Sequence, residues 1–185
     1  MKVILLASLS ADGLIAETGN QSGSSTHWTS KEDTKFFVEK TKEAGIVVMG
    51  STTYLTIPEK YRPLIDRVNI IYTSKPDSIP HSQPLPPTFN LLPTTTPYTT
   101  TLPPQKLIDE LRATSYELLA IIGGSSIYTQ FLQANVIDTL LLTYEPILFG
   151  AGTMLFDKPL NTKLQLSQIH KLSDQVVVHE YQIIK

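Results

Sequence analysis

At Ala120-Ile121-Ile122-Gly123-Gly124-Ser125-Ser126 an apolar run meets two adjacent glycines and then two serines. This order indicates a buried strand that turns directly into a helix. Bare glycine backbone at the positive end of a helix lets a phosphate group approach the N–H groups. The same glycines also suit a tight strand-to-helix turn without any ligand, and short glycine patterns arise often by chance. The pattern alone leaves both interpretations open.

Short apolar runs alternate with helical patterns along the rest of the chain, which predicts an α/β fold. Candidate strands lie at residues 3–9, 46–49, 68–73, 118–122 and 139–144. Residues 164–184 indicate an antiparallel hairpin with a turn near Ser173-Asp174. Helices are expected after Ser30, at Pro103-Pro104 and after the glycine pair. We predict a central mixed, mostly parallel sheet with a C-terminal antiparallel hairpin and about four flanking helices.

The composition favours one globular domain without thiol or metal chemistry. The chain has 185 residues, of which 41% are apolar and 17% charged, and its net charge is −2. Nucleic-acid-binding proteins normally carry a basic surplus, so that class is disfavoured. Cysteine is absent, and the four histidines lack metal-ligand spacing. We expect a single domain over residues 1–185, with no metal and no nucleic-acid partner.

The apolar start of the chain is interpreted as a strand and not as a leader. Lys2 is its only basic residue, and no small-residue cleavage site follows. No stretch approaches the roughly 18 consecutive apolar residues of a membrane span. A cytoplasmic protein without a membrane partner is therefore expected.

Two segments interrupt the α/β pattern. Nine of the 13 prolines fall within residues 76–104, and no charged residue lies between Asp77 and Lys106. Because no second core follows, we interpret this block as an insertion inside the one domain. Residues 17–26 are small, polar and glycine-containing, which favours a loop that could close as a lid.

Asp33 is the carboxylate of greatest interest. Ser30 is a candidate N-cap, and Asp33 follows three residues later, at the reciprocal position of a capping box. Asp33 also shares a helical face with Phe37, so its carboxylate could face inward and accept two N–H bonds from a heterocycle. The pattern by itself favours the capping role. Thr143, at the end of an apolar strand, either bonds a buried group or is simply a strand former.

Longer motifs occur in an order that resembles dihydrofolate reductase. They are Met49-Gly50-Ser51-Thr52-Thr53-Tyr54, Ile57-Pro58-Glu59-Lys60-Tyr61-Arg62-Pro63-Leu64, Arg67-Val68-Asn69-Ile70-Ile71 and Ile122-Gly123-Gly124-Ser125-Ser126-Ile127-Tyr128. Trp28, Asp33 and Phe37 have the order and spacing of that family's tryptophan, acidic residue and phenylalanine, and Leu142-Thr143 is similar to its following strand. The resemblance implies that family's three-layer fold and the reduction of 7,8-dihydrofolate to 5,6,7,8-tetrahydrofolate by hydride transfer.

The resemblance also implies a role for individual residues. A pterin would be held by Asp33, with Thr143 bonded to that carboxylate as the second catalytic residue. The other implied substrate-binding residues are Leu6, Phe37, Ile57, Leu64, Arg67 and Ile122, with Arg67 on the carboxylate of the glutamate tail. NADPH is the implied cofactor, and its contacts would be Ala7, Ile15, Gly50, Thr52, Thr53, Ser74, Lys75, Gly123, Gly124, Ser125, Ser126 and Tyr128. The implied partners are thus small molecules.

Two features depart from this pattern. Ser51 and Thr52 stand where the family commonly has a basic residue for the 2′-phosphate, so a preference for NADPH over NADH rests on Lys75. The run Glu145-Pro146-Ile147-Leu148-Phe149-Gly150-Ala151-Gly152 is similar instead to the reductase domain of riboflavin biosynthesis. The alternative function is therefore reduction of 5-amino-6-(5-phosphoribosylamino)uracil or of a related pteridine or pyrimidine. Both a monomer and a homodimer stay open. Because Arg67 and residues 57–64 resemble the folate-binding half, we predict dihydrofolate reductase.

A non-enzymatic alternative is a nucleotide-binding module whose proline-rich block binds a partner as a polyproline helix. Its support is thin, because Pro84-Leu85-Pro86-Pro87 lacks the flanking basic residue that often orients such ligands.

Overall fold

The computed structural model describes residues 1–19 and 25–184. Its strands are β1 Lys2–Ser10, β2 Leu14–Glu17, β3 Gly45–Gly50, β4 Val68–Tyr72, β5 Gln83–Pro84, β6 Tyr98–Thr100, β7 Leu118–Ile121, β8 Thr139–Glu145, β9 Gly152–Met154, β10 Leu164–Lys171 and β11 Val177–Ile183. Its α-helices are α1 Lys31–Ala44, α2 Ser51–Thr56, α3 Pro104–Leu111 and α4 Ser125–Gln133. The predicted lid falls partly outside the described residues, since 20–24 are not among them.

Nine of the described strands form one sheet, in the order β10-β11-β8-β1-β7-β3-β4-β6-β5. Every neighbouring pair from β8 to β5 is parallel. β11 runs antiparallel to β8, and β10 antiparallel to β11, with a bulge between Leu166 and Gln168. The predicted fold class is confirmed: a mostly parallel sheet with a C-terminal antiparallel hairpin and flanking helices.

Apolar side chains cover both faces of the sheet because successive residues of a strand point to opposite sides. Val3 and Leu5 face the helices α3 and α4, where Phe131 is fully buried. Ile4 and Leu6 face the opposite side, where α1 packs. Strands buried on both faces explain why the predicted strands are short apolar runs without alternation. The result is three layers, helix on sheet on helix.

The proline-rich block is only in part the irregular insertion that the composition suggests. It contributes β5 and β6 to the sheet, and Ile79, Phe89 and Leu91 within it are buried. Tyr98-Thr99-Thr100 is an aromatic and β-branched run that suits a strand. Pro84 lies in the edge strand β5, where a missing N–H is tolerated.

The remaining differences are short elements. The helices expected after Ser30, Pro103 and the glycine pair all form, and the predicted hairpin turn lies between Lys171 and Val177. β2, β9 and α2 were not predicted, since elements of three to six residues give too little periodicity to recognise. Among the described residues, no helix has the length and apolar character needed to cross a membrane.

Candidate active site

A cleft of about 1600 Å³ opens where the parallel strands end. Ser8 of β1, Gly50 of β3, Tyr72 of β4, Gly123 after β7 and Thr143 of β8 all line it. Ligands of parallel α/β sheets bind at this carboxyl edge, beyond the ends of the strands. All the residues that the sequence predicted for substrate and cofactor lie along this one cleft. Their individual roles remain predictions.

Asp33 reaches the cleft from the first turn of α1. Its side chain is buried, with 4% of the residue exposed. The hydroxyl of Ser8 donates a hydrogen bond of 2.7 Å to Asp33 Oδ2, and the Thr143 hydroxyl bonds the same carboxylate. Ser8 and Thr143 are register partners on the adjacent strands β1 and β8, so their side chains lie next to each other on the same face of the sheet. Thr143 thus lies beside the carboxylate that it was predicted to bond, and its role there remains a prediction.

The capping of α1 differs from a capping box. Ser30 Oγ accepts the Asp33 backbone N–H at 3.1 Å, so Ser30 is the N-cap as predicted. The reciprocal bond from Asp33 is absent in the described structure, because the Ser30 N–H goes to Glu145 Oε1 at 2.8 Å. The capping role that the pattern favoured for the Asp33 side chain is wrong. Its carboxylate faces inward.

The surroundings of Asp33 favour its neutral form. Burial raises the pKa of the Asp33 carboxyl, and the negative charge of Glu145 raises it further. The hydrogen bonds from Thr143 and Ser8 act in the opposite direction but do not outweigh burial. A ligand that offers N–H donors or positive charge would stabilise the carboxylate, because such groups favour its ionised form.

Arg67 is the second buried charge in the cleft. It is 3% exposed, its Nε donates to the carbonyl of Ile65 at 2.9 Å, and its Nη1 donates to Thr41 Oγ1. In the described part of the chain no carboxylate forms an ion pair with it, since Asp66 pairs with Lys42. Burial lowers the pKa of Arg67. Its remaining N–H donors are thus a site for an anion.

The glycine pair packs closely against the start of α2. The backbone N–H of Gly50 donates to the Gly123 carbonyl at 2.8 Å. Gly123 has φ +128°, and a Cβ on it or on Gly124 would lie 3.2 Å from Thr53 Oγ1. Gly124 is the N-cap of α4, and among the described residues no side chain caps that helix end. Exposed N–H groups at a glycine-lined helix N-terminus suit the phosphates of a dinucleotide.

The middle of the cleft is apolar. Phe37, Ile57, Leu64 and Ile122 line it. Tyr128 anchors this region, since its hydroxyl donates to the Leu6 carbonyl at 2.5 Å. Burial raises the pKa of Tyr128, and the charge of Asp33 adds to that shift. The phenol therefore stays protonated and holds α4 against β1.

A two-stranded sheet forms one rim of the cleft. β2 and β9 pair antiparallel, and Ile15 and Gly152 line the cleft there. A Cβ on Gly152 would lie 2.0 Å from the carbonyl oxygen of Ala16, so only glycine fits. Asp12, just before β2, holds the loop that precedes β9 by accepting the N–H groups of Phe149 at 3.2 Å and Gly150 at 2.7 Å.

The cleft is more basic than the chain as a whole. The chain carries a net charge of −2. Of the described residues that line the cleft, four are basic (Lys42, Lys60, Arg67 and Lys75) and two are acidic (Glu17 and Asp33). This local surplus favours anionic ligands. His, Asp and Glu side chains of the described residues form no group that could hold a metal ion.

Three residues of the site escaped sequence reasoning. Ser8 could have been found from its position two residues after Leu6, which places it on the same strand face. Glu145 appeared only as part of a run similar to the riboflavin reductases. Tyr72 lines the cleft with a buried hydroxyl that has no hydrogen-bond partner among the described residues, and no sequence signal marked it.

Comparison with known proteins gives one family and two groups of relatives. Residues 1–178 match the model described as the RibD C-terminal domain. The dihydrofolate reductase of Candida albicans is 27% identical over 128 residues, which are 63% of this chain and 56% of that protein. The dihydrofolate reductase of Aedes albopictus is 26% identical over 150 residues, 77% of this chain and 72% of the relative. The match to the bifunctional dihydrofolate reductase-thymidylate synthase of Plasmodium berghei covers 16% of that protein.

Two solved structures with similar folds carry titles from riboflavin biosynthesis. A structure titled as a putative riboflavin biosynthesis protein from Shewanella has a TM-score of 0.73 at 18% identity, with both chains covered completely. The diaminohydroxyphosphoribosylaminopyrimidine deaminase/5-amino-6-(5-phosphoribosylamino)uracil reductase of Thermotoga maritima also has a TM-score of 0.73, at 17% identity, over 99% of this chain and 56% of that one. At such identities these likenesses concern the fold. With the family match extending over residues 1–178, the chain belongs to the RibD C-terminal domain family, within the dihydrofolate-reductase-like superfamily of reductases.

Proposed function

We propose that this reductase converts 7,8-dihydrofolate to 5,6,7,8-tetrahydrofolate with NADPH. One observation carries the proposal. A buried carboxylate, Asp33, and a buried guanidinium, Arg67, line the same largely apolar cleft. Dihydrofolate has matching chemistry, with N–H donors on its aminopyrimidinone edge and carboxylates on its glutamate tail.

At the ring end, Asp33 accepts the N–H donors of the pterin. Ser8 and Thr143 hold the carboxylate in place by their hydroxyl hydrogen bonds. In a water-poor site this anion favours the protonated, more electrophilic form of the substrate. The net change is addition of a hydride at C6 and a proton at N5, and Asp33 acts as anchor and electrostatic stabiliser, not as the direct proton donor to N5.

At the tail end, Arg67 binds a carboxylate. A guanidinium held by Thr41 and the Ile65 carbonyl is fixed in orientation, and its free N–H groups can form a charge-assisted pair with the anion. Ile57 and Leu64 line the same cleft and would contact the aromatic middle of the substrate.

The proposed cofactor side is the glycine pair with the adjoining Gly50. All three glycines line the cleft, and the phosphates of a dinucleotide could approach the backbone N–H groups at the start of α4. When bound, NADPH supplies the hydride for the reduction. Lys75 and Ser74 at the rim would contact the adenosine end, with Lys75 selecting the 2′-phosphate. Ala7 and Ile15 would exclude water beside the reacting ring.

A second candidate is reduction of 5-amino-6-(5-phosphoribosylamino)uracil. The family match favours it, and so does the basic surplus of the cleft, because Arg67 and Lys60 could bind a sugar phosphate. The pyrimidine of that substrate presents N–H groups that Asp33 could accept equally well.

One assay separates these candidates. Purified protein is given NADPH with either dihydrofolate or the phosphoribosylamino pyrimidine, and loss of NADPH absorbance is followed. We expect turnover with dihydrofolate. Turnover only with the pyrimidine would replace the first candidate by the second, and NADPH binding without turnover on either would favour a non-catalytic module.

The role of Asp33 is tested in the same assay. Asp33→Asn should lower kcat/KM by about 100-fold or more, the usual loss when one transition-state stabilising group is removed. The matched control is Glu32→Gln on the same turn of α1, where the side chain is exposed. An unchanged Asp33→Asn enzyme would show that the assignment of Asp33 is wrong.

A further inference from the structure

Glu145 is a second buried carboxylate close to Asp33. It lies at the end of β8 and is 3% exposed. Its Oε1 accepts two hydrogen bonds from Ser30, one from the backbone N–H at 2.8 Å and one from the hydroxyl at 2.7 Å. Ser30 Oγ in turn accepts the backbone N–H of Asp33 at 3.1 Å. Ser30 thus connects the two carboxylates.

This arrangement replaces half of a capping box. In a capping box the residue three positions after the N-cap sends its carboxylate back to the N-cap N–H. Asp33 occupies that position but turns away, and Glu145 from β8 accepts the Ser30 N–H instead. The helix end is satisfied without Asp33. Its carboxylate is therefore available to Ser8 and Thr143 in the cleft.

We propose that Glu145 is the positioning residue of this site, which keeps Asp33 directed into the cleft by occupying the Ser30 N–H that Asp33 would otherwise accept. The inference deepens the proposed function, since it rests on Asp33 binding the substrate ring. Without Glu145, the Ser30 N–H is left unsatisfied, and Asp33 stands at the third helical position, from which a carboxylate normally accepts this N–H in a capping box. The Asp33 side chain would then populate two conformations, one that accepts the Ser30 N–H and one that faces the cleft.

Glu145 has a second, electrostatic effect on the same group. The groups facing Asp33 are Ser8 from β1, Thr143 and Glu145 from β8, and Tyr128 from α4. In the described part of the chain no Lys, Arg or His forms an ion pair with either carboxylate. The charge of Glu145 is thus uncompensated, and with burial it raises the pKa of Asp33. Removing that charge should lower the pKa of Asp33.

The test compares Glu145→Gln with Glu145→Ala. Gln keeps a carbonyl oxygen for the two Ser30 hydrogen bonds but removes the charge, whereas Ala removes both. The first readout is the titration of the Asp33 side-chain carboxyl, followed by 13C NMR in protein without substrate. We expect Asp33 to titrate at lower pH in Glu145→Gln than in the parent protein.

The second readout is steady-state kinetics with dihydrofolate and NADPH. Glu145→Ala should lose about 100-fold in kcat/KM, the scale of a misplaced positioning contact, with a raised KM for dihydrofolate. Glu145→Gln should recover most of that loss at a pH where Asp33 is ionised in both proteins. The control is Glu180→Gln on the neighbouring strand β11, whose carboxylate pairs with His170.

The outcomes are separable. Equal losses of kcat/KM in both variants with parallel falls in Tm, or no loss in Glu145→Ala, would overturn the positioning role. An unchanged Asp33 titration in Glu145→Gln would overturn the electrostatic effect alone. An inactive parent protein would count against the proposed function. The inference would then be decided by the Asp33 titrations of Glu145→Ala and Glu145→Gln, which should differ because only in Glu145→Ala can the Asp33 carboxylate turn to the Ser30 N–H; equal titrations would overturn it. If Glu145→Ala does not fold, Glu145→Leu, which fills the space without an acceptor, takes its place in both readouts.

Discussion

Replacing Arg67 by Met should separate ligand binding from stability. Met keeps the length and apolar contacts of the side chain but removes the charge. The structure gives Arg67 two internal hydrogen bonds, to Thr41 and to the Ile65 carbonyl, and no ion pair within the described residues. Its donors that remain free are the ones we assign to the substrate carboxylate.

The expected size of the effect follows from these bonds. Two charge-assisted hydrogen bonds to a carboxylate, each about 1.5–3 kcal/mol, give roughly 3–6 kcal/mol of binding. Because each 1.4 kcal/mol is tenfold, KM for dihydrofolate should rise by roughly 10²–10⁴-fold. The free energy of unfolding should change little. Loss of the two internal hydrogen bonds costs about 1 kcal/mol each, and removal of a buried charge that has no ion pair acts in the opposite direction.

The measurements are KM for dihydrofolate and Tm by thermal denaturation. For a chain of this size, about 1 kcal/mol corresponds to roughly 2–4 °C in Tm, so the shift should stay within that range. Lys42→Met is the control, since Lys42 also lines the cleft but is exposed and paired with Asp66. A large fall in Tm with an unchanged KM would refute the reasoning and make Arg67 a purely structural cation.

Three further predictions concern stability. Burial and the Glu145 charge raise the pKa of Asp33 in the folded state. The protonated Asp33 therefore contributes to the free energy of unfolding in full below its unfolded pKa, and this contribution is lost as the pH rises through its folded pKa. Asp33→Asn should therefore have a higher Tm than the parent at neutral pH, and the difference should shrink toward pH ~4; a constant difference across that range would contradict this. Gly152→Ala would place a Cβ 2.0 Å from the Ala16 carbonyl and should destabilise the β2–β9 rim by about 1–3 kcal/mol, seen as faster amide exchange in β2 than in β4. Phe131→Ala removes a fully buried ring whose centroid lies 5.4 Å from that of Tyr72. The free energy of unfolding should fall by about 3–5 kcal/mol in urea denaturation. A loss below about 1 kcal/mol would mean that the core collapses to fill the space.

The sequence predicted the fold class well because the parallel strands are long enough to be recognised as apolar runs. It missed β5 and β6, since proline dominates the composition of that segment and hides the three residues of β6. Sheet neighbours such as β1 and β8 are far apart in the chain, so their pairing could not be read from local patterns.

The candidate site shows the same limit at the level of side chains. The glycine pair, Asp33 and Arg67 lie along one cleft, as the family resemblance led us to expect. The direction of the Asp33 side chain could not be decided from its spacing to Ser30. It depends on Glu145, more than 100 residues later, which supplies the competing acceptor for the Ser30 N–H. Ser8 belongs to the site for a similar reason, since it is the strand register that pairs it with Thr143.

The place of β1 in the sheet also has a consequence for biosynthesis. β1 lies between β7 and β8, with Lys2 opposite Leu118 and Ile4 opposite Thr139. At translation rates of about 5–20 residues per second, on the order of 7–27 s pass between synthesis of Ile4 and of its partner Thr139. Until β7 has been made β1 has neither of its native neighbours, and until β8 follows it still lacks one, so its apolar side chains are a target for chaperones or for aggregation. A nascent chain that stops before β8 has no means of completing the centre of the sheet.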